Sequence, residues 1–220
     1  MSAQTPDAGP NAGPNSGLCA PTRSAPLVIG VDEAGRGPLA GPVVAGAVLL
    51  CKPRPSGLDD SKKLTRGRRA ELEATIKRRC HWAVGVVEVD DIDRLNIFGA
   101  TMLAMTLAVR ALCESLGEDP AEVLVDGNLT PQGRRPEWRW KARPIVGGDA
   151  LEPCISAASI IAKEHRDRMM REYALAHPHY GWERNAGYGT PEHLEALRNH
   201  GPTPLHRRSF APVAQMELFA

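Results

Sequence analysis

The sequence predicts an α/β domain built on one mixed sheet, flanked by helices and followed by a helical C-terminal part. Three observations predict it. Two apolar, β-branched runs, 27–33 and 42–50, lie close together and are separated by glycines and prolines, as expected of neighbouring strands. A strongly apolar stretch over 96–116 carries Phe98, Met102, Leu103, Met105, Leu107, Val109 and Leu112, which reads as a core helix. A short buried strand, Glu122 to Asp126, then returns between helical segments. With 220 residues, 42% of them hydrophobic, the chain can bury one sizeable core, so one domain with appendages is expected.

The elements follow in order. Residues 1–26 are rich in Pro, Gly, Asn, Ser and Ala and carry only Asp7 and Arg23 as charges, which predicts a disordered leader. The domain is expected over 27–212 and opens with the strands at 27–33 and 42–50. A Pro/Gly/Asp loop at 53–61 leads to a helix over 65–79, with Thr65 as its N-cap. His81 to Val89 reads as the third strand. The helix over 96–116 is stopped by Gly117, Glu122 to Asp126 is the fourth strand, and Lys141 to Val146 is the fifth. Residues 154–176 form a long helix. After a Gly-rich loop, Thr190 and Pro191 open another helix as N-cap and first helical residue. Residues 213–220 read as a flexible tail, and no internal repeat is visible.

Charge and cysteine usage narrow the function classes. Lys and Arg number 27 against 26 Asp and Glu, a net charge of +1, so total charge is silent on nucleic acid. Its distribution is not. Basic residues cluster over Lys62–Arg79 and again over Arg134–Arg143, as on a solvated surface or a rim for a polyanion. The five cysteines are widely spaced, without a Cys-x-x-Cys, which fits neither a disulfide framework nor a zinc ribbon and predicts a reducing, cytoplasmic setting. No secretory signal is recognisable at the N-terminus, and the apolar run from Pro38 to Cys51 is too short to span a bilayer.

The most informative stretch is 28–37, Val-Ile-Gly-Val-Asp-Glu-Ala-Gly-Arg-Gly. It carries two carboxylates, Asp32 and Glu33, to the end of a buried strand, where they are costly unless something positive sits beside them. Asp126 ends the fourth strand in the same way, and Asp149 follows Gly147-Gly148 just before the long helix. Ligands of open α/β sheets bind at the carboxyl ends of strands, so these four acids can share one edge. An oxygen-only donor set suits Mg²⁺ or Mn²⁺ and disfavours zinc. Two such ions would activate a water and stabilise a leaving oxygen in phosphate chemistry. The bland alternatives are a strand running into an acidic turn for Asp32 and Glu33, a turn residue for Asp126, and a loop acid or N-cap for Asp149.

The segment Asp32–Val44 (Asp-Glu-Ala-Gly-Arg-Gly-Pro-Leu-Ala-Gly-Pro-Val-Val) resembles the signature of bacterial ribonuclease HII. The resemblance continues through Asp60-Ser61-Lys62-Lys63-Leu64, Val125-Asp126-Gly127, Gly148-Asp149 and Ser156–Lys163. It extends through Arg166-Asp167-Arg168, Gly187-Tyr188-Gly189-Thr190 and His206–Phe210, nearly the whole core and in family order. It implies a ribonuclease-H-like five-stranded sheet. It also implies an endonuclease that cuts the RNA-containing strand of RNA–DNA hybrids and nicks at ribonucleotides embedded in duplex DNA, leaving a 3′-hydroxyl and a 5′-phosphate. Asp32, Glu33, Asp126 and Asp149 would be its catalytic, metal-binding carboxylates, with Mn²⁺ or Mg²⁺ as cofactor. Gly35, Arg36 and Gly37 would contact the substrate at the 2′-hydroxyl, and Tyr188 would pack on the sugar at the RNA-to-DNA junction. A glycine turn lets backbone approach that hydroxyl, and tyrosine offers a flat face with a polar tip.

Other residues carry less. Lys62 and Lys63 read as phosphate contacts or solvated surface, as do Lys163 and Arg166, which lie about one turn apart on a helix. Ser156 and Ser159 read as small residues that permit close helix packing, since no histidine is arranged to activate either. The seven histidines show no convincing ligand spacing, and His81 reads as structural. Trp138 and Trp140 alternate as strand core or as support for a nucleic-acid face. Asn185-Ala186 depart from the His-Lys that many family members carry before the Gly-Tyr-Gly. The tail Gln215-Met216-Glu217-Leu218-Phe219 resembles the peptide by which bacterial repair proteins dock on the sliding clamp, with packing onto the core as the alternative. A monomer without membrane contact is expected. A different ribonuclease-H-like nuclease would share the acids but need not share Gly-Arg-Gly. A non-catalytic duplex binder would tolerate loss of the acids. A dinucleotide fold is disfavoured because Gly41 falls one residue beyond the Gly-x-Gly-x-x-Gly spacing.

Overall fold

A computed structural model describes residues 26–59, 61 and 63–217. The expected leader, Lys62, and Leu218 and Phe219 of the tail lie outside the described residues. Five strands, β1 (Val28–Ala34), β2 (Val43–Leu49), β3 (His81–Val87), β4 (Glu122–Asp126) and β5 (Ala142–Ile145), form one sheet in the order β3-β2-β1-β4-β5. β1, β2 and β3 make an antiparallel meander, and β4 and β5 run parallel to β1. The mixed sheet expected from the sequence is therefore present.

Helix α2 (Val89–Leu116) covers one face of the sheet and α4 (Pro153–Ala176) the other, with α1 (Arg66–Arg79) packed beside α4. Period-two alternation sorts the strand residues between these faces. Ile29, Val31, Val123 and Val125 join the α2 cluster, whereas Leu124 packs with Cys154 and Ile155 at the start of α4. α4 approaches the sheet very closely. A Cβ on Gly30 would lie 2.2 Å from the Cys154 carbonyl carbon, and one on Gly46 would lie 2.5 Å from Ala158 O. Glycines on the strands and Ala157, Ala158 and the two serines on α4 are what let backbone meet backbone here.

Thr65 caps α1 as expected, its Oγ1 accepting from the Arg68 amide at 3.3 Å. Thr190 does the same for α6 (Pro191–His200), accepting from the His193 amide with Pro191 at the first helical position. The largest difference from expectation is the start of α2. Helical structure begins at Val89, seven residues before the expected start, and cuts β3 short at Val87. It is interrupted at Asn96 (φ 57°, ψ 168°), whose Oδ1 accepts from the amides of Phe98 and Gly99 at 2.9 and 3.1 Å. Asn96 is thus the N-cap of the apolar segment read from the sequence, and a short polar segment precedes it. α2 is long and apolar enough to cross a membrane by length and composition, but its apolar side is spent on the sheet.

Beyond α4, a short 3₁₀ turn (Pro178–Tyr180), α5 (Trp182–Asn185), α6 and α7 (Ala211–Glu217) enclose a second cluster around Leu39, Met170, Tyr180, Trp182, Leu197 and Val213. This is the helical C-terminal part expected from the sequence, but it reaches further: α7 runs through 213–217, expected to be flexible tail, because Val213 is buried in this cluster. Gln215 is exposed on α7, while Met216 packs against this cluster.

Candidate active site

β1 and β4 build the site. Their parallel ladder ends at Val31 and Val125, so Asp32 and Asp126 follow side by side. Both belong to the face covered by α4. Asp32 does not terminate its strand, because β1 runs on to Ala34 against β2. It marks instead the point where β4 leaves the sheet, and Glu33, on the opposite face by alternation, comes next. Asp149 lies in α3 (Gly148–Leu151), and its amide donates to Asp126 Oδ1 at 3.3 Å. This approach needs Gly148, since a Cβ there would meet Ile155 Cδ1 at 2.6 Å and Asp126 Oδ1 at 3.3 Å. Asp32, Glu33, Asp126 and Asp149 therefore meet at one sheet edge.

The carboxylates are crowded. Asp32 and Asp149 are only 6% and 7% exposed. Burial, and then the charges of Glu33 and Asp126, push the Asp32 carboxyl well above its usual range. Burial also raises Glu33, against the opposing pull of Arg36. Among the described residues no three His, Cys, Asp or Glu side chains already close on a cation-sized point. An oxygen-only set of this kind fits a hard divalent cation.

The serines at the start of α4 do more than allow close packing. Ser156 Oγ donates to Asp149 O, and Ser159 Oγ pairs with Ser61 Oγ at 2.8 Å. Ser159 also hydrogen-bonds the Asp32 carboxylate, which favours its charged form.

The Gly-Arg-Gly turn differs from expectation in two respects. Arg36 Nη1 donates to Glu33 Oε1 at 3.3 Å and is half exposed, so its charge now faces a carboxylate. Gly35 has φ +97°, and a Cβ there would lie 2.1 Å from Arg166 Nε. Its missing side chain makes room for Arg166. Gly37 has no such constraint, because a Cβ there meets only Tyr188 Cε1, at 3.5 Å. Tyr188 stands beside it, 46% exposed.

Two buried arginines hold these loops, and the sequence reading misassigned one and missed the other. Arg166 is no phosphate contact: it donates to the carbonyls of Pro42, Ala40 and Ala186 at 2.9–3.0 Å. Arg207 donates to Gly41 (2.7 and 2.9 Å), Gly35 (2.6 Å), Arg36 (3.0 Å) and Pro42 (3.1 Å). Burial lowers Arg166 to about 10 and Arg207 to about 9, still cationic at neutral pH. The signal was their place inside quoted motifs, but residue type alone does not separate a backbone clamp from a surface charge.

Behind Tyr188 lies a histidine relay, again invisible in the spacing. His193 Nδ1 bonds Tyr188 O at 2.9 Å, and its Nε2 meets Trp182 Nε1 and His206 Nε2, both at 3.1 Å. His206 Nδ1 accepts from the Thr203 amide at 2.9 Å. These partners assign the protons to His193 Nδ1 and His206 Nε2. Burial pulls both rings down, His206 to about 3.

The basic runs separate. In the second, Arg139 pairs with Asp119, Lys141 and Arg143 pair with Glu122, and Trp138 and Trp140 are buried edge-to-face in a loop. Glu122 starts β4, the end away from Asp126, so this run is no rim of the site. In the first, Lys63 pairs with Asp59, both exposed. Arg66, Arg69, Lys163, Arg171 and Arg184 line a cleft of about 200 Å³ together with Asp167 and Glu183, bounded by Ala186 next to the Tyr188 loop; Arg69, Lys163 and Arg184 are ion-paired there with neighbouring acids.

The sheet and the carboxylate edge define a class: an endoribonuclease of ribonuclease-H-like fold. The sequence matches the family described as Ribonuclease HII over residues 29–213, and the chain belongs to that family. It is 86% identical over 194 residues to a ribonuclease HII of Novosphingobium aromaticivorans, covering 87% of this chain and 99% of that one. The fold is similar to ribonuclease H2 from Pyrococcus horikoshii OT3, with TM-score 0.69 and 26% identity over 87% of this chain and 97% of that one. It is also similar to a chain in a PCNA:RNase HII complex from Archaeoglobus fulgidus, with TM-score 0.67 and 26% identity over 82% and 93%. Activity on RNA–DNA hybrids follows from the family.

Proposed function

We propose that this chain is a divalent-metal-dependent endonuclease that cuts the RNA strand of hybrids and nicks 5′ to single ribonucleotides in duplex DNA, leaving 3′-hydroxyl and 5′-phosphate ends. The observation that carries the metal reading is the crowding of Asp32, Glu33, Asp126 and Asp149 at one edge, where burial and neighbouring acids penalise the charged forms of Asp32 and Glu33. These four would hold Mg²⁺ or Mn²⁺. A cation bound there supplies an activated water and charge stabilisation at the leaving oxygen.

The remaining work belongs to the chain itself. Ser159 favours the charged form of Asp32 against the larger effect of burial, and the Asp149 amide orients Asp126. Gly37 offers open backbone to the 2′-hydroxyl, the group that separates RNA from DNA. Arg36 exchanges Glu33 for a phosphate once that carboxylate has another partner. The exposed Tyr188 ring packs on the deoxysugar beyond the ribonucleotide. Lys62, Lys63 and the basic cleft bounded by Ala186 seat the duplex backbone by charge, adding affinity without sequence preference.

The discriminating assay uses a DNA duplex with one embedded ribonucleotide, with Mg²⁺, with Mn²⁺ and with chelator. The expected result is a single nick 5′ to the ribonucleotide, abolished by chelator. Equal cleavage of the all-DNA duplex, or cleavage in chelator, would refute the reading.

The tail adds a partner. Gln215 is exposed on α7 ahead of Leu218 and Phe219, and a structural relative comes from a PCNA complex. We propose that Gln215–Phe219 docks on the bacterial sliding clamp, raising local enzyme concentration on new DNA in a monomeric, cytoplasmic protein. Clamp titration should show binding by the intact chain and none by a Leu218→Ala, Phe219→Ala double variant. Equal or absent binding in both removes the clamp.

A further inference from the structure

Cys51 and Cys80 meet on the far side of the β2–β3 ladder from the carboxylates. Cys51 follows β2, and Cys80 is the C-cap of α1 immediately before β3. The register that pairs Leu49 with His81 draws the two cysteines together. Their Sγ atoms are 2.7 Å apart, Cys80 S–H donating to Cys51, and the Cys51 amide donates to Cys80 Sγ at 3.2 Å. Cys80 is fully buried, whereas Cys51 is half-buried and open to solvent. Cys51 Sγ donates to Pro53 O at 3.6 Å, the carbonyl that Arg79 Nη2 also reaches at 2.7 Å. A partly exposed cysteine with a second, buried thiol in contact is the arrangement of an oxidisable pair.

We propose that Cys51 and Cys80 are an oxidisable dithiol that hydroperoxides such as hydrogen peroxide convert to a disulfide. Cys51, as thiolate, attacks one peroxide oxygen. The O–O bond breaks, leaving a sulfenic acid on Cys51 and hydroxide that is protonated to water. Cys80 Sγ attacks the sulfenic sulfur, the S–S bond forms as the S–O bond breaks, and the Cys80 proton leaves with the hydroxyl as a second water. The two thiols lose two electrons and the peroxide gains them. Cys113 and Cys154 are buried in other clusters, and burial pushes their thiols up to about 12 and about 11, so neither competes for oxidant. The new bond closes the segment 52–79, which carries Lys63 and α1, and restricts it in the unfolded chain.

The test treats full-length protein, in a Cys19→Ser background, with hydrogen peroxide and maps peptides without reductant. The expected result is a Cys51–Cys80 linked peptide, an intact mass lower by two hydrogens, and a higher melting temperature, all reversed by dithiothreitol. Cys80→Ser should instead trap a dimedone-reactive sulfenic acid on Cys51. The parent's map decides the matter even if that variant folds poorly. Two free thiols after oxidation, Cys51 over-oxidised to sulfinic acid in the parent, or Cys51 linked elsewhere would overturn the proposal.

Discussion

Arg207 Nη2 donates to the Gly35 carbonyl at 2.6 Å, tying the chain's C-terminal part to the turn that follows Asp32 and Glu33 on β1. Arg207 is 0% exposed, and the five hydrogen bonds of its guanidinium all go to main-chain carbonyls of residues 35–42. With Arg166 on the other side, it converts a loop of glycines and prolines into a fixed surface. Two guanidinium groups satisfy the carbonyls of this turn, which an apolar side chain cannot do.

Arg207→Lys should therefore destabilise almost as much as Arg207→Ala, on the order of 2–4 kcal/mol by urea unfolding, since an ammonium lacks the planar fork and leaves several buried carbonyls unpaired. A lysine variant as stable as the parent would show that charge alone, and not the fork, holds the turn.

Gly35 and Gly37 should separate stability from activity. Gly35→Ala sets a Cβ 2.1 Å from Arg166 Nε at φ +97° and should lower the melting temperature clearly. Gly37→Ala meets only the Tyr188 ring at 3.5 Å and should melt like the parent while cleaving poorly, because the new methyl blocks approach to the 2′-hydroxyl. Full cleavage by a well-folded Gly37→Ala protein would remove the backbone-contact reading.

Tyr188→Ala should slow cleavage at a single embedded ribonucleotide more than it weakens hybrid binding, because phosphates supply most of the affinity. The lost stacking contact is worth about 1–3 kcal/mol by analogy with base stacking. Single-turnover rates beside a binding titration decide it, and unchanged rates dismiss the junction role.

Acid should loosen the C-terminal part first. The unfolded chain protonates His206 near its usual value of 6.5, whereas the native ring resists until about 3. His165 behaves alike, resisting until about 4. Between those values the unfolded state binds more protons, so stability is complete above pH 6.5 and falls as pH drops, by at most about 1.4 kcal/mol per pH unit for each ring. Urea midpoints from pH 7.5 to 5 should fall, and His206→Gln should flatten that fall. An unflattened slope would place the acid sensitivity elsewhere.

The sheet and its four acids were legible because their signals are local. Alternation, apolar runs and strand-end Asp residues survive in one dimension, and Thr65 and Thr190 mark helix starts through their own side chains. The start of α2 was missed although a signal was present: Val89, Ile92 and Leu95 recur every three residues between charged ones, and Val89 and Ile92 are buried. Arg166, Arg207, His193 and His206 were hidden for a different reason. The arginines reach carbonyls of Gly35–Pro42 from 124 to 172 residues away, whereas the histidines' partners lie only 3 to 13 residues off but form no recognisable spacing, so only the folded chain reveals what these side chains hold. The basic run at 134–143 misled in the opposite sense: Arg135 pairs with Glu137, and Arg139, Lys141 and Arg143 pair with Asp119 and Glu122 at the end of β4 away from Asp126.

The most direct test of the central claim is single-turnover cleavage of the embedded-ribonucleotide duplex by Asp126→Asn, alongside duplex binding and melting temperature. The amide keeps the size of Asp126 and its carbonyl can still accept from the Asp149 amide, but the charge that would hold a cation is gone. The account predicts a folded protein that binds the duplex and does not cut it. Near-parental cleavage by a folded Asp126→Asn protein would contradict it.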